Sequence, residues 1–243
     1  MAINIDKVYR IVLAILNKEQ RGYLTPDQFN RLGRQAQLDL LEKSFYDYNR
    51  HLTRRNIQGV NSEYGDIADN IQEKIDVLAK STTLTLANNA TTVSAPSDLY
   101  RTIQVVTSDR SINIERVKKS EYTYLVASKL TQPTDDYPVY YFDNDVFNIL
   151  PQTITNPIVD YIKTPTDPRW GYTTGGSGQY LYDSSVYDAV TNTTGSTDFE
   201  LHPSEETSLV IKILALAGVI VKDPAVIQMA SAEEIKEFNQ ENS

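Results

Sequence analysis

The chain has 243 residues, 40% of them hydrophobic, no Cys and a net charge of −9. That length supports one large domain or two small ones with a buried core, while the lack of cysteine excludes a disulfide framework and a thiolate metal site. The charge is divided: residues 1–60 carry ten Lys/Arg against six Asp/Glu, or +4, and the remainder thirteen against twenty-six, or −13, so the acidic body repels phosphate and disfavours duplex binding.

The start, Met1-Ala2-Ile3-Asn4-Ile5-Asp6, has no basic stretch followed by an apolar run. The longest apolar stretch, Leu209 to Val221, is broken by Lys212 and falls short of the about 20 residues that span a bilayer. The expectation is a soluble protein, made and used without secretion, with no membrane partner.

Val8, Ile11, Val12, Ile15 and Leu16 recur at the spacing of one helical face, with Asp6 available as N-cap and Gly22 beyond the end. Thr25-Pro26-Asp27-Gln28 then writes a second helix start: a Thr cap, Pro at the first helical position and Gln three residues after the cap. Phe29, Leu32, Ala36 and Leu40 form its stripe, handed on through Leu41 to Phe45, Tyr48 and Leu52, so the helix is predicted to reach about Arg54. A third helix, Asp66 to about Lys80, places Ile67, Ile71, Ile75 and Leu78 on one side. Each such side chain contributes roughly 1.5–3 kcal/mol when buried, so the stripes must face one another or a neighbour.

At the end of the second helix, Arg50, His51, Arg54 and Arg55 cluster. They read either as a patch that grips an acidic partner or nucleic acid, or as cations favourably placed at a helix C-terminus. His51 has no second His or Cys at metal spacing.

The middle of the chain reads as β. Thr82 to Leu86 and Thr91 to Ser94 flank Asn88-Asn89 as a predicted hairpin. Thr102 to Thr107, Ile112 to Val117, Val139 to Phe142, Val146 to Leu150 and Ile158 to Ile162 are further predicted strands of a small antiparallel sheet or sandwich. Asp143-Asn144-Asp145 is taken as a hairpin tip, because a calcium loop needs more oxygen ligands at fixed offsets. Gly175-Gly176-Ser177-Gly178 has no Lys-Ser/Thr after it to make a phosphate loop, and Gln179 spoils a nucleophile elbow. No cofactor, no metal and no enzymatic activity are expected; acid-only glycosidase chemistry needs just two carboxylates and no motif, so the sequence leaves it open.

Ordering the Gly/Ser/Thr/Tyr tract from Gly171 to Asp198 costs about 1–2 kcal/mol per residue in backbone entropy. Its apolar residues are few, so it is expected to be an extended arm, mobile in a lone subunit and ordered by other chains, or else a solvated surface loop. Tyr172, Tyr180, Tyr182 and Tyr187 offer rigid area with a polar tip, which suits an interface. With Arg50, Arg54 and Arg55 they are the candidate partner or subunit contacts. The last helix opens after His202-Pro203, with Glu205 and Glu206 in its first turn and two adjacent apolar faces from Leu209 to Val221. Asp223-Pro224 stops it, and Ala225 to Phe238 is predicted as a short terminal helix.

The layout therefore reads as α+β: N- and C-terminal helices forming a helical bundle, with an inserted antiparallel β-rich domain and a long extended loop. Its parts are residues 1–80 (helical), 81–170 (β-rich insertion), 171–198 (arm or loop) and 199–243 (C-terminal helices completing the bundle).

That order of elements resembles the head-to-tail connector proteins of short-tailed bacteriophages, also called adaptors or tail tubular protein A-like. The resemblance is carried by the helical run from Tyr9 through Tyr48, the Pro96-Ser97-Asp98-Leu99-Tyr100-Arg101 bend, and Tyr137-Pro138-Val139-Tyr140-Tyr141 leading to Asn148-Ile149-Leu150-Pro151. Asp160-Tyr161-Ile162-Lys163 before Pro165 and Phe199-Glu200-Leu201-His202-Pro203 complete it. It implies a virion neck protein, made in the host cytoplasm, whose copies form a ring, commonly of twelve, beneath the portal. Its further partners would be other tail proteins and DNA that slides through the channel without specific binding; an acidic body suits such a channel. A different class also fits the Tyr content: a β-rich tail attachment or carbohydrate-binding module whose aromatics stack on sugars.

Overall fold

The structure, a computed structural model, describes residues 2–18, 24–58, 65–86 and 90–221. The chain divides into two compact units, one of residues 1–77 with 165–243 and one of residues 78–164. It is mixed α/β, with 37% of the chain helical and a seven-stranded curled sheet, which corrects the expected helical bundle with a β insertion. The reason lies in the first unit's core, where the helices close on non-helical residues: Trp170, Phe199 and Leu201 sit in the same buried cluster as the helical stripes.

In that unit, helix α1 (Ile5–Lys18) buries Ile5, Val8, Tyr9, Val12 and Leu16, whereas Ile15 is exposed. Its start is one turn of logic away from the expected Asp6 cap. The Asn4 side chain accepts from Lys7 N–H at 2.9 Å, and Asp198 accepts from Ile5 N–H at 2.9 Å. Asp6 is thereby left to accept from the Trp170 indole N–H at 3.0 Å. Helix α2 (Pro26–Gln58) begins as its sequence dictates: Thr25 Oγ1 accepts from Gln28 N–H and Gln28 Oε1 from Thr25 N–H, at 3.3 and 3.1 Å. It packs against α3 (Gly65–Asp76) and against the last described helix, here α5 (Glu206–Val221). The entry to α5 is a 3₁₀ turn, Pro203–Glu205, capped by the His202 ring, and its buried Glu205 pairs with Lys74 of α3 at 2.5 Å.

Gln37, on the inner face of α2, is 1% exposed and fully used. Its amide donates to the Thr166 carbonyl at 3.0 Å and accepts from Glu200 N–H at 3.0 Å, joining two non-helical segments to the helix. Replacing Gln37 by leucine keeps the volume but deprives both backbone groups of this partner. A loss of roughly 1–2 kcal/mol is expected from buried groups so stranded, measurable as a lowered urea midpoint with an unchanged slope.

The second unit is a sheet in the order β1-β7-β3-β4-β5-β6-β2. Its strands are β1 (Ala79–Thr83), β2 (Thr92–Ser94), β3 (Leu99–Val106), β4 (Asn113–Arg116), β5 (Val139–Asp143), β6 (Val146–Leu150) and β7 (Ile158–Lys163). The expected hairpin between the first two does not exist: β1 pairs with β7 and β2 with β6, at opposite ends of the strand order. Asn88-Asn89 lies outside the described residues, and turn chemistry in a sequence does not say what the flanking strands meet. The sheet is also not wholly antiparallel, since β4 pairs in parallel with β5.

Two features explain how it closes. Asn144 and Asp145 both have positive φ, 48° and 58°, which makes the two-residue turn of a tight β5–β6 hairpin. Alternate residues Val105, Val159 and Tyr161 from one stretch of the sheet and Tyr140, Phe147 and Ile149 from the other then enter a single buried cluster. The Tyr161 hydroxyl finds its partner in Asp98 at 2.8 Å. Lys80 and then Tyr161 hold the Asp98 carboxyl below the usual carboxylate range. On the opposite face, Asp160 accepts from Ser81, Gln104 and Arg110. Burial raises its pKa, but those hydrogen bonds outweigh it and the net shift is downward.

Candidate interaction surfaces

The Gly171 to Asp198 tract is neither extended nor detached. Strands β8 (Tyr172–Thr174) and β9 (Tyr180–Tyr182) form a hairpin, and Tyr172 and Tyr182 pack on the core of the first unit. Trp170 anchors them, with ring centroids 6.0 Å from Tyr172 and 5.6 Å from Tyr182, while Tyr180 meets Tyr172 edge-on at 4.8 Å. Tyr187 lies beneath the guanidinium of Arg169, 4.2 Å from ring centre to charge.

The expectation of an extended arm is corrected accordingly, and local chemistry supplies the reason. Asp183 accepts from Ser185 N–H and Thr194 Oγ1, and Asp188 from Val190 N–H and Thr191 Oγ1. Backbone donation from Ser185 leads in lowering the Asp183 pKa, and the Thr191 hydroxyl leads for Asp188. Asx turns of this kind bring their own partners, so entropy is opposed by more than the few buried tyrosines. Pairings of Arg169 with Thr197 and of Val186 with Ser196 then close the base of the tract.

Of the predicted cationic contacts, Arg50 is half-buried on α2 and engaged in interactions of its own. Arg54 and Arg55 continue the same helix, but their side chains, like that of His51, lie outside the described residues. The structure therefore joins Tyr172, Tyr180 and Tyr182 in one aromatic group around Trp170, sets Tyr187 apart under Arg169, and does not bring Arg50 to either.

A surface that the sequence reading missed stands on the sheet unit. Helix α4 (Lys119–Ala127) has no buried residue. Its Glu121 carboxylate caps it by accepting from Lys118 N–H at 3.1 Å. It touches the sheet through Tyr122, edge-on to Tyr141 at 4.5 Å, and through an ion pair of Lys119 with Asp143. Burial, then Tyr141, raises the Tyr122 phenol pKa. Beyond it, Tyr124, Leu130 and Tyr137 are 77%, 94% and 80% exposed and share a groove of about 970 Å³ with Glu115, Glu121 and Asp136. A nine-residue helix is marginal without a buried face, and these apolar side chains are left uncovered. Helical periodicity misses α4 because its apolar residues are not on one side; the signal that could have found it is Tyr-Leu-Val beside Leu130 and Tyr137 in a stretch without strand alternation.

Among the described residues no helix is long and apolar enough to cross a membrane. A scan against protein-family models finds no match to the chain, and a search of curated proteins finds none of significance.

Proposed function

We propose that the chain is a structural virion subunit, a head-to-tail connector that forms an oligomeric ring beneath the portal and lines the DNA exit channel. The observation that carries the reading is the exposed groove of α4, Leu130 and Tyr137: apolar area that its own unit leaves uncovered is suited to a neighbouring subunit or a portal. Short sequence phrases that resemble those of connectors suggest the class of assembly, and the net charge of −9 suits a surface past which DNA slides.

The test is the mass of the purified chain, alone and mixed with a portal, by mass photometry and negative-stain microscopy. Rings are expected, and replacing Tyr124, Leu130 and Tyr137 together by serine should leave the fold within about 0.5 kcal/mol of the parent, as for exposed sites generally. Ring formation or portal binding should weaken by about tenfold or more, the effect of removing interface aromatics. A wild-type chain that is strictly monomeric and ignores portals overturns the reading. The same exposed Tyr124 and Tyr137 favour a second reading, a carbohydrate-binding module, which requires glycan binding by the isolated monomer.

A further inference from the structure

A second cleft, of about 430 Å³, opens in the unit of residues 1–77 and 165–243. Three guanidiniums line it: Arg31 and Arg34 on α2, and Arg169. Arg31 bonds Asp27 and Arg34 bonds Asp167, each at 2.9 Å, and all four side chains are mostly exposed. Ion pairs so placed are weak and exchange readily with an incoming acid. Arg169 differs, because it pairs with no carboxylate among the described residues and rests on the Tyr187 ring. Its backbone is clamped on both sides by Thr197, at 3.0 and 2.8 Å, so the cation is held in place before anything binds.

The cleft thus carries one more positive than negative charge on a chain whose residues 61–243 hold −13. A second copy of this chain accordingly carries a surplus of carboxylates that this cleft can accept. Tyr172 completes the wall with a phenol able to hydrogen-bond a carboxylate.

We infer that this cleft receives an exposed carboxylate-bearing segment of a second copy of the chain. The incoming acid binds Arg169 and takes over Arg31 or Arg34 from its own aspartate. The inference rests on the ring reading and names one of its contacts.

Sedimentation velocity on the full chain tests it with two opposed variants. Replacing Arg31, Arg34 and Arg169 by glutamine should raise the self-association constant Kd by about tenfold or more, as for interface arginines. Asp27→Asn with Asp167→Asn frees two guanidiniums and should tighten association into the same ring species with an unchanged far-ultraviolet circular dichroism spectrum, which misfolding does not mimic. Raising salt from about 0.05 to about 0.5 M should weaken the wild type more than the arginine variant, since screening acts on the charges that were removed. Rings that survive the triple substitution overturn this inference and leave the ring reading intact. A wild type that stays monomeric overturns the ring reading and this one with it. Displacement of the contact by a thymidine oligonucleotide but not by oligoglutamate overturns the carboxylate in favour of phosphate.

Discussion

Trp170→Ala is expected to destabilise the unit of residues 1–77 and 165–243 by about 3–5 kcal/mol, the usual cost of deleting a large buried aromatic. The indole is 5% exposed and stands between α1 and the β8–β9 hairpin, 4.5 Å from Tyr9 and in ring contact with Tyr172 and Tyr182. Its N–H is also the partner of Asp6, and its backbone is held on both sides by the Asn30 amide, through 2.7 and 3.4 Å contacts. The substitution therefore opens a cavity under two tyrosines and removes the indole bond to Asp6 of α1, while the backbone bonds to Asn30 of α2 are kept. Trp170→Phe keeps most of the ring packing and loses the indole donor, so about 1–2 kcal/mol is expected from the lost hydrogen bond to Asp6, whose carboxylate keeps its ion pair with Arg10 at 2.8 Å. Because Trp170 is the chain's one tryptophan, unfolding in urea is followed by far-ultraviolet circular dichroism. An alanine variant within about 1 kcal/mol of the parent would show that the aromatic group is a surface feature and not a core, because exposed sites rarely cost more.

Sequence reading succeeded where a signal is local and failed where a partner is remote. Thr25-Pro26-Asp27-Gln28 fixes the start of α2 because cap, ring and returning amide are all within one turn. Asn144 and Asp145 fix the β5–β6 turn for the same reason, since few other residues accept positive φ. Strand pairing has no such local code. Thr82 and Val93 are near in sequence, yet they pair with Val159 and Phe147, and the alternation that marks a strand does not name its neighbour. Helices α1, α2, α3 and α5 were legible one by one and α4 was not; what they pack against was also hidden, because Trp170 and Phe199 are invisible as core residues until the chain returns to place them.

The candidate site shows the same division. Tyr172, Tyr180, Tyr182 and Tyr187 stand out by composition, but Tyr172 and Tyr182 close on Trp170 and Tyr180 on Tyr172. Arg169 became a candidate only when the tract folded back beside Arg31 and Arg34. Nor does composition reveal that Gly171 to Asp198 folds back on itself, because the hydrogen bonds that Asp183 and Asp188 make within the tract depend on its conformation.

Those bonds require a close backbone approach, and Gly195 is where it occurs. A β-carbon added there would lie 2.5 Å from the Ser185 carbonyl oxygen, 2.5 Å from the Val186 carbonyl carbon and 2.6 Å from Tyr187 N. All three are backbone atoms, so no side chain can turn aside to make room. Across this contact Ser196 N–H donates to Ser185 O at 2.6 Å, and Tyr187 N–H to Ser196 O at 3.2 Å. Gly195→Ala is therefore expected to cost about 3 kcal/mol, the upper range for overpacking, and to release residues 183–197 while the helical core persists. Gly176→Ala serves as the control: its β-carbon would meet nothing within 4 Å, and a change under about 0.5 kcal/mol is expected at such a site. Hydrogen exchange reads the difference directly, with protection at Tyr187 and Ser196 lost in the first variant and kept in the second. Equal protection in both would mean that the closure at Gly195 does not hold the tract. Loss of protection carries a further consequence, because Tyr187 is the platform on which Arg169 rests. Freeing that ring should weaken self-association without removing a single charge, which separates the shape of the cleft from its electrostatics.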